Sequence, residues 1–312
     1  MPGGLIAFVV TAMTIIAAQE AAVKLLTGTL SIWQLHILRS VMIVAMALIA
    51  ARTIPWLGLR RLQRPGWAIL RSALFSVTFL LLYLGLSFLT LAQSGAAFFT
   101  GPLFITLFAA LFLKERIGAR RLAALVLGFS GVLVTSQPWN EALDPAILFP
   151  LAAAFCYGLG VMVTRARLAD ESAVALQIVH HTLFGVLSIL GLAVVALLPL
   201  EASTRESFPF LLTTWTALSA GAWLLVIANA VGNFVGALML THAYQRHPSS
   251  EVAPLEYSYL AVAPMLDLAI WQRVPGIETL IGIALVAAAG VFIARREGAA
   301  PRAVELSDRG SG

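Results

Sequence analysis

Charge and cysteine are the two things this sequence has least of. Only 11% of its 312 residues are Asp, Glu, Lys or Arg, less than half of the roughly 25% carried by an ordinary soluble domain. So little charge cannot wet a globular surface, which excludes a cytosolic enzyme and a disordered chain. The single cysteine, Cys156, excludes an intrachain disulfide scaffold and a cysteine metal cluster. It lies in an apolar run, where a free thiol behaves as a small hydrophobe. Met1 to Leu5 holds no Lys or Arg and no small-residue cleavage site follows the first apolar stretch, so a cleaved signal peptide is not expected. The signatures of an ATP phosphate loop, of H-E-x-x-H metalloproteases and of G-x-S-x-G hydrolases do not occur. The loops are too short for a catalytic domain, and no metal or cofactor site is expected.

What the chain does have is apolar length. Hydrophobic residues make up 60% of it and the mean hydropathy is +0.92. Since about 20 helical residues cross the hydrocarbon core, cutting at the polar and Gly/Pro-rich breaks yields ten spans. They run from Leu5 to Leu26, Ile32 to Ala51, Trp67 to Leu91, Ser94 to Leu113, Leu122 to Ser136, Ala146 to Thr164, Ser172 to Leu198, Thr214 to Tyr244, Glu251 to Trp271 and Thr279 to Ala294. Barrel strands would alternate over about ten residues; these Leu- and Ala-rich runs are unbroken, so the expected fold is an all-α integral membrane protein.

Basic residues set the orientation. With the N-terminus cytoplasmic, sixteen fall on the inner side, including Arg52, Arg60, Arg61, Arg64, Arg71, Lys114 and Arg116, against Arg205 and Arg273 outside. The positive-inside rule then places both termini in the cytoplasm. This asymmetry accounts for the basic pI without nucleic acid, and Lys24 and Arg39 are left inside spans. The tail 297–312, rich in Gly and charge, reads as disordered.

Ten spans divide into two fives, and an odd number turns the second half upside down. Leu103 to Val134, LFITLFAALFLKERIGARRLAALVLGFSGVLV, has the same layout as Leu260 to Ile293, LAVAPMLDLAIWQRVPGIETLIGIALVAAAGVFI. The expected organisation is therefore two inverted five-helix repeats, 1–140 and 141–296, with a substrate between them near the bilayer midplane.

The run GPLFITLFAALFLKERIG followed by LGFSGVLV, the segment QEAAVKLL leading to QLHILRS, and VAPLEYSYLAV in the second half resemble the drug/metabolite transporter superfamily, in its EamA-type ten-helix branch. The resemblance spans about Leu5 to Ala294. It implies a transporter rather than an enzyme, in a family that includes amino acid exporters and importers of riboflavin or S-adenosylmethionine. One departure is Arg273, where the family pattern usually has an acid matching Glu115.

Ionisable residues inside spans are functional candidates by default. Glu20 and Lys24 share a helix face at i, i+4, in the favourable order for an ion pair, about 22 Å along the first span. They read either as a self-neutralising pair at the outer rim or as a gate or substrate contact. Arg39, about 10 Å into the second span, has Glu20 as its expected partner or binds a substrate carboxylate. The fourth and ninth spans are broken at equivalent places, by Gly101 and Pro102 near Phe98 and Phe99, and by Pro254 and Pro264 around Glu256, Tyr257, Tyr259 and Asp267. Broken helices in corresponding positions point to a transporter's binding site. Glu256 reads as a proton- or amine-binding carboxylate, or as a group reaching toward Arg246. On the eighth span Asn229, Asn233 and His242 share a stripe, as interhelical glue or as ligand contacts. Of His180 and His181 at most one can line a cavity. Trp33, Trp56, Trp67, Trp139 and Trp271 fall near span ends as an interfacial belt, whereas Tyr83, Trp223 and the aromatic residues of the broken spans could wall a cavity for a planar solute.

The expected substrate site is thus Glu20, Lys24, Arg39, Tyr83, Phe98, Phe99, Pro102, Trp223, Asn229, Asn233, His242, Glu256 and Tyr257. The expected function is secondary transport of small organic metabolites (amino acids, aromatic or flavin-like compounds) by alternating access, across a bacterial-type inner membrane. The coupling ion stays open, a proton being one option, as do the direction of transport and the choice of monomer or homodimer. The rival reading is a membrane-embedded enzyme acting on lipid or isoprenoid carriers, against which no loop holds a D-x-x-x-D-type cluster. A channel is disfavoured because no filter-like segment repeats.

Overall fold

The computed structural model describes residues 3–53, 62–113, 145–247 and 255–297, with isolated positions at 252 and between 123 and 134. All regular elements among the described residues are helical. They are α1 (Gly3–Leu26), α2 (Ile32–Thr53), α3 (Pro65–Leu86), α4 (Leu91–Phe98), α5 (Gly101–Leu113), α6 (Leu148–Arg167), α7 (Ala173–Leu197), the short α8 (Ala202–Ser207) and α9 (Pro209–Leu212), α10 (Ala220–Arg246), α11 (Tyr259–Trp271) and α12 (Ile277–Glu297). Among the described residues six helices are long and apolar enough to cross a membrane: α1, α2, α3, α6 with the turn before it, α7 and α10. The expected fifth span, 122–136, is described only at separate positions between 123 and 134, which are helical, and the tail beyond Glu297 lies wholly outside the described residues.

The third expected span ends at Leu86 instead of Leu91, which opens α4, and three others have different bounds, each for a local reason. The fourth is two helices: α4 ends at Phe98, the Thr100 hydroxyl donates back to the Ala97 carbonyl at 2.7 Å, and Gly101 and Pro102 open α5. Proline suits that position, where its missing N–H would have no intrahelical partner. The eighth begins at Ala220 instead of Thr214, because Ser219 is the N-cap, accepting from the Ala222 N–H at 3.2 Å. The preceding segment is held by α2: the Thr216 N–H donates to Gln34 Oε1 at 3.0 Å and its carbonyl accepts from Gln34 Nε2 at 2.7 Å. The ninth is interrupted: Val252, Leu255 and Glu256 are helical, Tyr257 and Ser258 form a turn, and α11 starts at Tyr259, the Ser258 hydroxyl donating to the Leu255 carbonyl at 2.7 Å.

The most extensive helix pairs are α1 with α10, α3 with α6, and α2 with α7. Smaller contacts join α3 to α7, α2 to α10, α4 to α11, α1 to α11 and α4 to α6. The α1–α10 pair is close because Gly232 and Gly236, four residues apart on α10, present no side chain to α1. A methyl at Gly236 would lie 2.8 Å from Ile16 Cγ1, and one at Gly232 would lie 2.9 Å from Gln19 Cβ. Such small-residue spacing lets membrane helices approach to backbone contact. Large aliphatic side chains such as Ile49, Ile189 and Leu224 remain exposed on the outside, the surface a bilayer would cover.

The N-terminus of α4 is fastened twice. Thr90 and Gln93 form a reciprocal capping box, and the buried Asp267 of α11 accepts from the Leu91 and Ala92 N–H groups at 3.3 and 2.9 Å. The carboxylate thereby satisfies donors that no residue of α4 itself can reach, at the helix end that favours negative charge.

Candidate functional site

A cavity enclosing about 940 Å³, its open mouth included, runs between the helices. Its walls come from α1, α3, α4, α6, α7, α10 and α11 and from Glu256 just ahead of α11, so residues far apart in sequence share it. Glu256, Asn233 and Phe99 border it together, with Glu20, Phe98 and Tyr259. Aromatic rings make up much of the wall, and amide, hydroxyl and carboxyl groups are placed among them.

Both cavity carboxylates are held by tyrosines. The Tyr259 hydroxyl of α11 donates to Glu20 Oε2 of α1 at 2.5 Å. Glu256 accepts from Tyr157 of α6 at 3.3 Å and from Tyr244 of α10. Neither carboxylate makes an ion pair among the described residues. Two expectations are therefore corrected. Lys24 does not pair with Glu20: its ammonium donates to the Leu86 carbonyl at 3.4 Å and to that of Leu89, and it lies 5.6 Å from the centre of the Trp271 ring. The carbonyls at the C-terminal end of α3 attract the cation, while Tyr259 already occupies the carboxylate. Arg39 does not reach Glu20 either. It donates to the Tyr83 hydroxyl at 2.8 Å, and its guanidinium carbon lies 5.2 to 5.6 Å from the ring centres of Tyr83, Phe79 and Phe184. In place of Arg246, Glu256 has found two tyrosines.

A chain of hydrogen bonds backs the α1 wall. Arg39 donates to Tyr83, Tyr83 donates to Gln19 Oε1 at 3.2 Å, and Asn229 donates to the same oxygen at 2.5 Å and to the Gln19 carbonyl at 3.1 Å. Gln19 itself lines the cavity. Tyr83, Arg39 and Asn229 are fully buried behind it and do not border the cavity.

The other expected positions divide similarly. Phe98 and Phe99 border the cavity; the Pro102 side chain lies outside the described residues. Tyr257 is buried with its ring 6.0 Å from that of Phe99, but it is not part of the wall. Trp223 faces outward, 38% exposed. His242 is partly buried, with its ring edge-on to Phe8 at 6.3 Å, also away from the cavity. His180 lines the cavity and His181 does not.

Sequence reasoning missed Arg71, Tyr157, Gln19 and Gln177, which all line the cavity. Arg71 was counted only among the inner-side charges that set orientation; it is a buried residue of α3. The signal was its place seven residues into α3. Tyr157 stood out only as a hydroxyl in a small-residue run, and Gln19 only as the neighbour of Glu20.

These elements define a multi-pass α-helical membrane protein with a largely apolar cavity inside its bundle, in which a few polar groups are set. Residues 3–137 match the EamA-like transporter family. A riboflavin transporter of Rhizobium johnstonii is 27% identical over 213 residues, covering 68% of this chain and 65% of that protein, so the chain spans just under two thirds of that relative's length. A riboflavin transporter of Vibrio cholerae is 24% identical over 77% of this chain and 76% of its own. An S-adenosylmethionine uptake transporter of Rickettsia bellii is 25% identical over 74% and 73%. A solved crystal structure shares the fold, with a TM-score of 0.62 at 20% identity over 94% of this chain and 97% of its own.

Proposed function

We propose that the chain is a secondary transporter of small organic metabolites, built as two inverted five-helix repeats, 1–140 and 141–296, and working by alternating access in a bacterial inner membrane. The observation that carries this reading is the shared cavity, in which two tyrosine-held carboxyls, the amides of Gln19 and Asn233 and a set of aromatic rings converge from helices of both halves. Such a lining suits a planar or aromatic solute with a few hydrogen-bonding groups. The helix pairing supports the repeat: exchanging each span with the one five further on turns the α1–α10 pair into α6–α3 and returns α2–α7 and α4–α11 to themselves. The relatives named as transporters of riboflavin and S-adenosylmethionine also carry aromatic heterocycles.

Phe98, Phe99, Gln19, Asn233 and Tyr157 would contact the solute, and Glu20 or Glu256 would carry a coupling proton. Arg39, Tyr83 and Asn229 would position the α1 wall. The test is uptake of labelled riboflavin, S-adenosylmethionine and L-tryptophan into proteoliposomes, with and without a pH gradient. Saturable flux of at least one solute is expected. Absence of flux for all three with folded, correctly inserted protein would refute the substrate range.

A further inference from the structure

Arg71 is a cation left without a carboxylate. It is 5% exposed and lines the cavity. Its Nε donates to Thr164 Oγ1 at 2.9 Å, and its guanidinium carbon lies 4.5 Å from the centre of the Phe75 ring. Its other N–H groups have no hydrogen-bond partner among the described residues. The two carboxylates of the same cavity are engaged by Tyr259 and by the Tyr157–Tyr244 pair. A buried guanidinium needs oxygen acceptors to replace its lost water, and its planar fork fits two oxygens of one anionic group.

A second group in this corner points to a ligand. His180, 4% exposed, also lines the cavity. Its Nδ1 lies 3.3 Å from the Ser72 carbonyl, and a carbonyl can only accept, so Nδ1 carries the proton. Nε2 of the neutral ring is then an acceptor, and it is buried with no partner. Gln177, one turn earlier on α7, adds an amide to the same wall.

We infer that Arg71 binds an anionic group of the transported solute, a carboxylate or a phosphate, while His180 accepts from an adjacent N–H or hydroxyl. The aromatic part would then lie against Phe75 and Phe79. This rests on the transporter reading and narrows it: the solute is an aromatic anion or zwitterion rather than a neutral heterocycle.

The test uses the full-length protein in nanodiscs and two matched pairs, indole-3-acetate with indole-3-acetamide, and riboflavin 5′-phosphate with riboflavin. Affinities are measured for the wild type, R71Q and R71K. In at least one pair the anion should bind about tenfold tighter than its neutral partner, as expected for a charge-assisted bidentate contact. That preference should vanish in R71Q and partly return in R71K. A preference in the indole pair assigns a carboxylate, and one in the flavin pair a phosphate. Equal affinities within both pairs, or a preference that survives R71Q, would overturn the inference and leave the transporter reading intact. Failure of all four compounds to bind folded wild-type protein would overturn both the inference and the aromatic substrate class. If R71Q does not fold, the wild-type comparison within each pair decides alone.

Discussion

Tyr259 donates its hydroxyl to Glu20 across 239 residues of sequence, joining α11 to α1 at the wall of the cavity. The contact depends on a glycine: a methyl on Gly95 of α4 would meet the Tyr259 ring at 2.7 Å. One hydrogen bond therefore registers three helices. Replacing Tyr259 by Phe leaves the buried Glu20 oxygen without its donor, which costs roughly 1 to 3 kcal/mol. Thermal unfolding in detergent should show the loss, and E20Q, which leaves an uncharged acceptor in place, should lose less.

Proton coupling separates the two carboxylates. If Glu256 carries the coupling proton, E256Q should abolish flux driven by a pH gradient in proteoliposomes while solute exchange without a gradient persists. E20Q is the matched comparison. Unchanged gradient dependence in both variants would remove the proton from the mechanism.

Asp267 should prove structural. D267A removes the acceptor of the Leu91 and Ala92 N–H groups, and losing two hydrogen bonds to a charged group costs roughly 3 kcal/mol or more. The expected result is a lower melting temperature and faster hydrogen exchange at the start of α4. A normal Kd for solute in whatever protein remains folded would follow, because Asp267 is not part of the cavity wall.

Gly236 tests the close helix pair. G236L inserts a large side chain where even a methyl would lie 2.8 Å from Ile16, and overpacking of this kind costs about 1 to 3 kcal/mol. Lower stability and a lower yield of monodisperse protein are expected. G221A, where a methyl meets nothing closer than the Ser219 hydroxyl at 3.9 Å, should be neutral.

Most of the helix layout was legible because an apolar run long enough to cross a bilayer is a strong signal that depends only on local sequence. The failures came where a distant residue decides. Thr214 to Ser219 is apolar enough to be helix, yet Gln34 of α2 holds it. Lys24 and Glu20 have ideal spacing for an ion pair, but Tyr259 and the end of α3 compete for them. Arg71 lay inside the expected span, four residues from its start at Trp67, and was read only as one of the inner-side charges that set the orientation. Glu256, Asn233, Phe98 and Phe99 were recognisable as polarity or backbone breaks inside spans. Tyr157 and Gln177 carried no such mark, since one hydroxyl or amide in a membrane helix is ordinary.

The pairing of α1 with α10 and of α3 with α6 constrains how such a cavity could open. Each pair takes one helix from either side of residue 140, so the two sequence halves cannot separate as rigid bodies without tearing the most extensive helix contacts among the described residues. Any rocking motion must instead move bundles that mix the two halves, since α2 and α7, the third extensive pair, also lie on either side of that boundary. Two fragments cut between residues 140 and 145 would then need each other to fold, and their co-expression should restore a single complex.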